Sequence, residues 1–130
     1  MGMVNVVIID DDSGIRKIMA VVLEEAGLNF KMAADGLTGI KVVSEFRPAL
    51  AVVDVKLGTM NGVDVARKIN ALGFGTKIMF VTGYVGDLEG HIHGLPVVGI
   101  MEKPFDIFKF TRMVKDNVSE TTGNIGTYVE

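Results

Sequence analysis

Short apolar runs alternate with helix-spaced apolar positions along most of this chain. Val4 to Ile9 is rich in β-branched residues, the pattern of a strand buried on both faces. Ile15, Ile18, Met19, Val22, Leu23 and Ala26 then repeat at helical spacing, which predicts a helix with Asp12 or Ser13 at its start and Gly27 at its end. Leu28 to Met32 predicts a second strand. Gly36 opens a helix with Leu37, Ile40, Val43 and Phe46 on one face, and Pro48 closes it. Ala49 to Asp54 is the third strand, followed by a loop from Val55 to Met60. A helix from about Asn61 to Leu72 turns Val63, Ala66 and Ile69 inward until Gly73-Phe74-Gly75 breaks it, and Lys77 to Val81 is a fourth strand.

Beyond Thr82 the alternation calls for a helix, yet Gly83, Gly86, Gly90, Gly94 and Pro96 interrupt it. Each interior glycine costs ~1 kcal/mol relative to alanine, so the helix expected there is short, irregular or mobile. Val97 to Met101 reads as a fifth strand, and Ile107, Phe110, Thr111, Val114 and Val118 mark a last helix starting near Asp106. Five strands alternating with about five helices predict one α/β domain, a parallel sheet with helices on both faces. Residues 3–119 form that expected domain, and residues 120–130 read as a flexible tail or linker stub.

Composition narrows the function classes. With 130 residues, 48% of them hydrophobic, the chain can bury one good core and is short for two. A net charge of -3 with 13 scattered Lys and Arg residues offers no basic stripe, so a direct nucleic-acid partner is not expected. The absence of cysteine excludes disulfides and thiolate metal sites. No apolar run approaches the roughly 20 residues that span a bilayer. A cytoplasmic protein without membrane contact is the expectation.

The acidic residues carry the chemistry. The first strand ends in Asp10-Asp11-Asp12 and the third ends in Asp54, so adjacent strands would gather three or four carboxylates at the edge where open α/β sheets build their sites. Like charges that close repel unless a proton or cation intervenes, and a hard cation such as Mg²⁺ suits an all-oxygen site. Asp12 alone reads as a helix cap. The eight methionines read as core filler, and His91 and His93, two apart, read as surface residues rather than a metal pair.

Asp10-Asp11, Asp54, Thr82 and Lys103-Pro104-Phe105, each at a strand's end, together resemble the receiver domain of two-component response regulators, of the chemotaxis-regulator type. Asp35-Gly36, Arg47-Pro48, Met60-Asn61-Gly62 and Val81-Thr82-Gly83 extend the resemblance from about Val4 to Val118. It implies a flavodoxin-like, doubly wound, five-stranded parallel sheet of order 2-1-3-4-5. It also implies a phosphorelay switch in which a sensor histidine kinase or phosphotransfer protein modifies Asp54, the phosphoacceptor, in a Mg²⁺-dependent reaction. In that scheme Asp11 ligates the metal directly, Asp10 holds a bound water, and Asp54 and the backbone carbonyl of Lys56 complete the protein's share. Lys103 supplies positive charge to the phosphate, Pro104 often follows a cis bond, and Thr82 donates its hydroxyl to a phosphoryl oxygen. The side chains of Lys56 and Tyr84 would border the phosphate and limit water's access.

The chain also departs from the family. Ile100 stands where an aromatic switch residue is common and Gly58 where proline is usual. The glycine-rich stretch before Val97 belongs to the helix-strand-helix face through which receivers form homodimers or dock an effector. A second reading is therefore a degenerate receiver serving as a constitutive protein-interaction module. A third, a Mg²⁺-dependent phosphohydrolase with an aspartyl nucleophile, lacks its usual Asp-x-Asp, because Val55-Lys56 follows Asp54. The expectation is thus no enzyme beyond its own phosphorylation and dephosphorylation. With no helix-turn-helix or catalytic domain after Val118, a stand-alone receiver and a fragment of a larger regulator or hybrid kinase both remain open.

Overall fold

The computed structural model describes residues 3–86 and 88–118, and the sequence-expected tail lies outside them. In chain order the elements are β1 (Val6–Ile9), α1 (Ser13–Glu25), β2 (Phe30–Ala33), α2 (Gly36–Phe46), β3 (Leu50–Asp54), β4 (Lys56–Leu57), β5 (Met60–Asn61), α3 (Gly62–Ala71), β6 (Lys77–Thr82), a 3-10 turn (Leu88–His91), β7 (Val97–Glu102) and α4 (Ile107–Val118). The main sheet is fully parallel with order β2-β1-β3-β6-β7, which is 2-1-3-4-5 when only its own strands are counted.

Alternation of side chains divides the core into two layers. Val7, Ile9, Ala51, Val53, Ile78 and Phe80 face α2 and α3, while Val6, Ile8, Leu50, Val52, Met79 and Val81 face α1 and α4. β1 and β3 are buried along their whole length, which explains their unbroken apolar composition. Each buried Val, Leu or Ile in them contributes about 1.5–3 kcal/mol by leaving water. Every helix starts on a carboxylate or amide cap. Asp12 accepts from Gly14 and Ile15, Asp35 from Thr38, Asn61 from Val63, and Asp106 from Phe108 and Lys109. Among the described residues, no helix is long and apolar enough to cross a membrane.

The helix expected between β6 and β7 is short and irregular, as its glycines and Pro96 predict: it is the 3-10 turn Leu88–His91. Four other local expectations need correction. The loop expected from Val55 to Met60 contains a two-residue antiparallel ladder, Lys56 and Leu57 against Asn61 and Met60. The second strand is shifted to Phe30–Ala33, since Leu28 closes the α1 C-terminus by donating to the Leu23 carbonyl. In α2 the buried side is Gly36, Gly39 and Val43, with Leu37 exposed and Phe46 stacked under the Lys31 ammonium. The reason is contact distance: a Cβ on Gly39 would stand 2.5 Å from Ile9 of β1 and one on Gly36 would stand 2.6 Å from Val65 of α3, so one glycine brings the helix onto the sheet and the other onto its neighbouring helix, and Leu37 is rotated outward. Ile18 of α1 is likewise exposed rather than inward.

Candidate phosphoacceptor and cation site

Parallel strands in register deliver their C-terminal ends to one edge of the sheet. Ile9 pairs with Val53, Asp54 with Val81 and Thr82 with Glu102. Asp10, Asp54, Thr82 and Lys103 therefore emerge side by side, each at the end of its own strand or one residue past it. Asp10, Asp54 and Thr82 are buried. Asp11 is exposed, yet Asp10, Asp11 and Asp54 still bring carboxylate oxygens within 4.8 Å of one another.

Lys103 bridges the two buried acids. Its Nζ lies 3.1 Å from Asp10 Oδ2 and 3.2 Å from Asp54 Oδ2, donating a hydrogen bond to the latter. The remaining oxygens are held by backbone, with the Asp12 N–H donating to Asp10 Oδ1 at 2.9 Å and the Lys56 N–H to Asp54 Oδ1 at 3.3 Å. Arg16 fixes the turn from below by donating to the Asp10 carbonyl at 2.7 Å. Asp10 Oδ2 has the ion pair but no hydrogen bond in good geometry. The peptide between Lys103 and Pro104 is cis.

The charges do not balance. Burial pushes the Asp54 carboxyl above the ordinary carboxylate value, and the negative charge of Asp10 pushes the same way; Lys103 and the Lys56 N–H oppose them without reversing the shift. Burial also acts to lower Lys103, but the two carboxylates outweigh it and hold the ammonium above the usual lysine value. One cation divided between two acids is firmly charged itself and leaves each acid incompletely neutralised. An all-oxygen donor set of three carboxylates, with one buried oxygen lacking a hydrogen-bond donor, fits a hard divalent cation.

The acids form one end of a cleft of about 970 Å³ that runs between α3 and the segment after β6. Lys56 and Tyr84 line it, as the sequence suggested, together with Thr82, Val63 and Arg67. The Thr82 hydroxyl is engaged locally, donating to the Tyr84 carbonyl and accepting from its N–H, both at 3.3 Å. Gly62 holds the loop after Asp54 close: its N–H donates to the Val55 carbonyl at 2.6 Å, and a Cβ there would stand 2.1 Å from the Asp54 carbonyl oxygen.

The structure thus brings together Asp10, Asp11, Asp54 and Lys103, with the Lys56 backbone against Asp54 and Thr82 beside them in the same cleft. His91 and His93 are exposed, and their carbonyls accept from the Arg67 guanidinium. Sequence reading passed over Arg67 and Arg16 because their partners are backbone carbonyls, which carry no residue-type signal. Ile100 is half-buried against the core on β7.

Comparison with known proteins agrees with this geometry. The family model of the response regulator receiver domain matches residues 6–115. Sporulation initiation phosphotransferase F of Bacillus subtilis is 29% identical over 112 residues, covering 85% of this chain and 90% of that one. The probable transcriptional regulatory protein TcrX of Mycobacterium tuberculosis is 31% identical over 80% of this chain, which spans only 45% of the relative's length. Among solved structures, a CheY-like receiver domain protein from Methanospirillum hungatei superposes with a TM-score of 0.85 at 24% identity, covering 95% of this chain and 99% of the other. The receiver domain of sensor histidine kinase PA1611 from Pseudomonas aeruginosa, solved with magnesium in its active site cleft, gives a TM-score of 0.79 at 19% identity, covering 91% and 99%. From the matched family, the sheet order and the acidic edge together, this chain belongs to the response regulator receiver domains of two-component systems.

Proposed function

We propose that the protein is a Mg²⁺-dependent phosphoacceptor switch, modified on Asp54 by the phosphohistidine of a sensor histidine kinase or phosphotransfer protein. The observation that carries this reading is the sharing of Lys103 between Asp10 and Asp54, which leaves a crowded anionic pocket short of positive charge. Asp11, Asp10, Asp54 and the Lys56 carbonyl would hold the metal, which when bound neutralises the oxygens of the incoming phosphoryl group. An Asp54 carboxylate oxygen forms the new bond to phosphorus as the bond to the donor imidazole nitrogen breaks. Lys103, already charged and aimed at Asp54, follows the phosphoryl oxygens, and Thr82 turns its hydroxyl from the Tyr84 carbonyl to one of them. Beyond this self-modification no catalytic role is proposed.

Beryllofluoride uptake in the presence of Mg²⁺, followed by fluorine NMR, tests the reading. Wild type should give a bound signal that EDTA removes and that Asp54→Asn lacks. No signal in wild type, or an equal one in Asp54→Asn, refutes it. For output, β7 is an edge strand and with α4 frames a groove of about 930 Å³ beside the exposed Phe108, a surface suited to a second copy or an effector.

The alternative, a constitutive interaction module, draws support from Ile100 and the curtailed helix before β7. It requires that partner affinity be the same with and without beryllofluoride.

A further inference from the structure

Arg67 of α3 holds the backbone of the segment that stands where a helix was expected. Arg67 donates through Nη2 to the His91 carbonyl and through Nη1 to the His93 carbonyl at 3.4 Å. The segment also rests on buried Leu88, with Ile92 and Leu95 packed against the same core cluster, and on local turns such as Leu88 N–H to Val85 O and Leu95 N–H to Ile92 O. A full positive charge is thus committed to neutral acceptors while an anionic pocket lies in the same cleft.

Helix geometry allows that charge to reach the pocket. Gly62, the first residue of α3, abuts the Asp54 backbone. Arg67 is five residues further on, about 7.5 Å along the axis at 1.5 Å per residue, which an extended arginine side chain can span. Side chains on a helix tilt toward its N-terminus, here toward Asp54. Val63 and Arg67, one turn apart, both line the cleft. Phosphorylation replaces the aspartate's single negative charge by about two on a phosphoryl group with three strong acceptors, and a guanidinium binds such oxygens in a bidentate fork roughly twice as strongly as a neutral carbonyl.

We propose that Arg67 reads the charge at Asp54: it holds the His91 and His93 carbonyls while the aspartate is bare, and exchanges them for phosphoryl oxygens once it is modified, releasing residues 88–95 from α3. This rests on the phosphoacceptor reading and supplies the conformational response that Ile100, with no aromatic ring to reorient, does not. The two states differ by which acceptor Arg67 occupies, so the phosphate shifts the equilibrium through a stated differential contact.

Hydrogen exchange of residues 88–95, measured by mass spectrometry on the full chain with and without beryllofluoride and Mg²⁺, tests the proposal. Wild type should exchange about tenfold faster in this segment once the fluoride is bound, the protection lost with one charge-assisted hydrogen bond. Arg67→Gln should exchange fast from the outset, respond by less than about twofold, and bind beryllofluoride about tenfold more weakly. Arg67→Lys keeps the charge without the fork, so it should bind the fluoride within about threefold of wild type while lacking the resting protection. Bound fluoride with unchanged or slower exchange in wild type, or a full response in Arg67→Gln, overturns the proposal alone. Absence of any bound fluoride signal overturns the phosphoacceptor reading and this one with it.

Discussion

Replacing Lys103 by methionine retains the length and apolar character of the side chain and deletes the charge between Asp10 and Asp54. At separations of 3.1 and 3.2 Å, each contact amounts to roughly 5 kcal/mol of gross attraction at an effective dielectric of about 20. The carboxylates left behind, with oxygens within 4.8 Å, repel by at least about 3.5 kcal/mol on the same scale. Lysine also sheds its own desolvation cost, and its side chain is 20% exposed, which screens part of the attraction. The expected net loss is therefore about 3 kcal/mol, the lower end for removing one partner of a buried pair. Urea denaturation followed by far-ultraviolet circular dichroism measures it, the chain having no tryptophan for fluorescence.

In EDTA at neutral pH the Lys103→Met variant should unfold at lower urea, and millimolar Mg²⁺ should restore more stability to it than to wild type. Lowering the pH should narrow the deficit as well. Asp54 titrates above the ordinary value of 3.8, so its ionised form costs stability, and that cost grows as pH rises from 3.8 through the raised value. Below this window Asp54 is protonated in both folded and unfolded states and the repulsion is relieved. A variant within about 0.5 kcal/mol of wild type in EDTA, or one that Mg²⁺ helps no more than wild type, would refute the reasoning.

The same linkage predicts that Asp54→Asn is more stable than wild type at neutral pH without metal, and that the advantage vanishes as pH falls through the raised Asp54 value; parallel urea titrations across pH check this. Gly62→Ala should lose about 2–3 kcal/mol or more and weaken beryllofluoride binding, because its Cβ meets backbone rather than a movable side chain. Asp12→Ala removes the α1 cap and should cost about 1 kcal/mol in thermal or urea unfolding. Phe110→Ala, at a fully buried position, should cost about 3–5 kcal/mol.

Four of the five strands of the main sheet, β1, β3, β6 and β7, were readable because each is short, largely apolar and ended or followed by a charged or hydroxylated residue; β2, Phe30–Ala33 followed by Ala34, has no such stop and its start was placed two residues early. Asp10, Asp54, Thr82 and Lys103 could be placed at strand ends from hydropathy alone, and a parallel sheet then brings them together. Where glycine decides the geometry, side-chain periodicity misleads. Leu37, Ile40, Val43 and Phe46 fit an inward face by spacing, but Gly39 lets α2 approach the sheet, and Gly36 lets it approach α3, on a different side. The Arg67 contacts were illegible for another reason: carbonyls of any residue type would serve equally well.

The contact between Gly62 and the Asp54 carbonyl makes α3 a handle on the proposed phosphoacceptor. With no side chain between helix and strand, and the Gly62 N–H bonded to Val55, a displacement at the start of α3 is transmitted to the backbone that carries the carboxylate. A protein that grips α3 therefore pulls on the chemistry as well as sensing it. By thermodynamic reciprocity, whatever factor the phosphate contributes to such a partner's affinity, the partner returns to the site's affinity for the phosphoryl mimic.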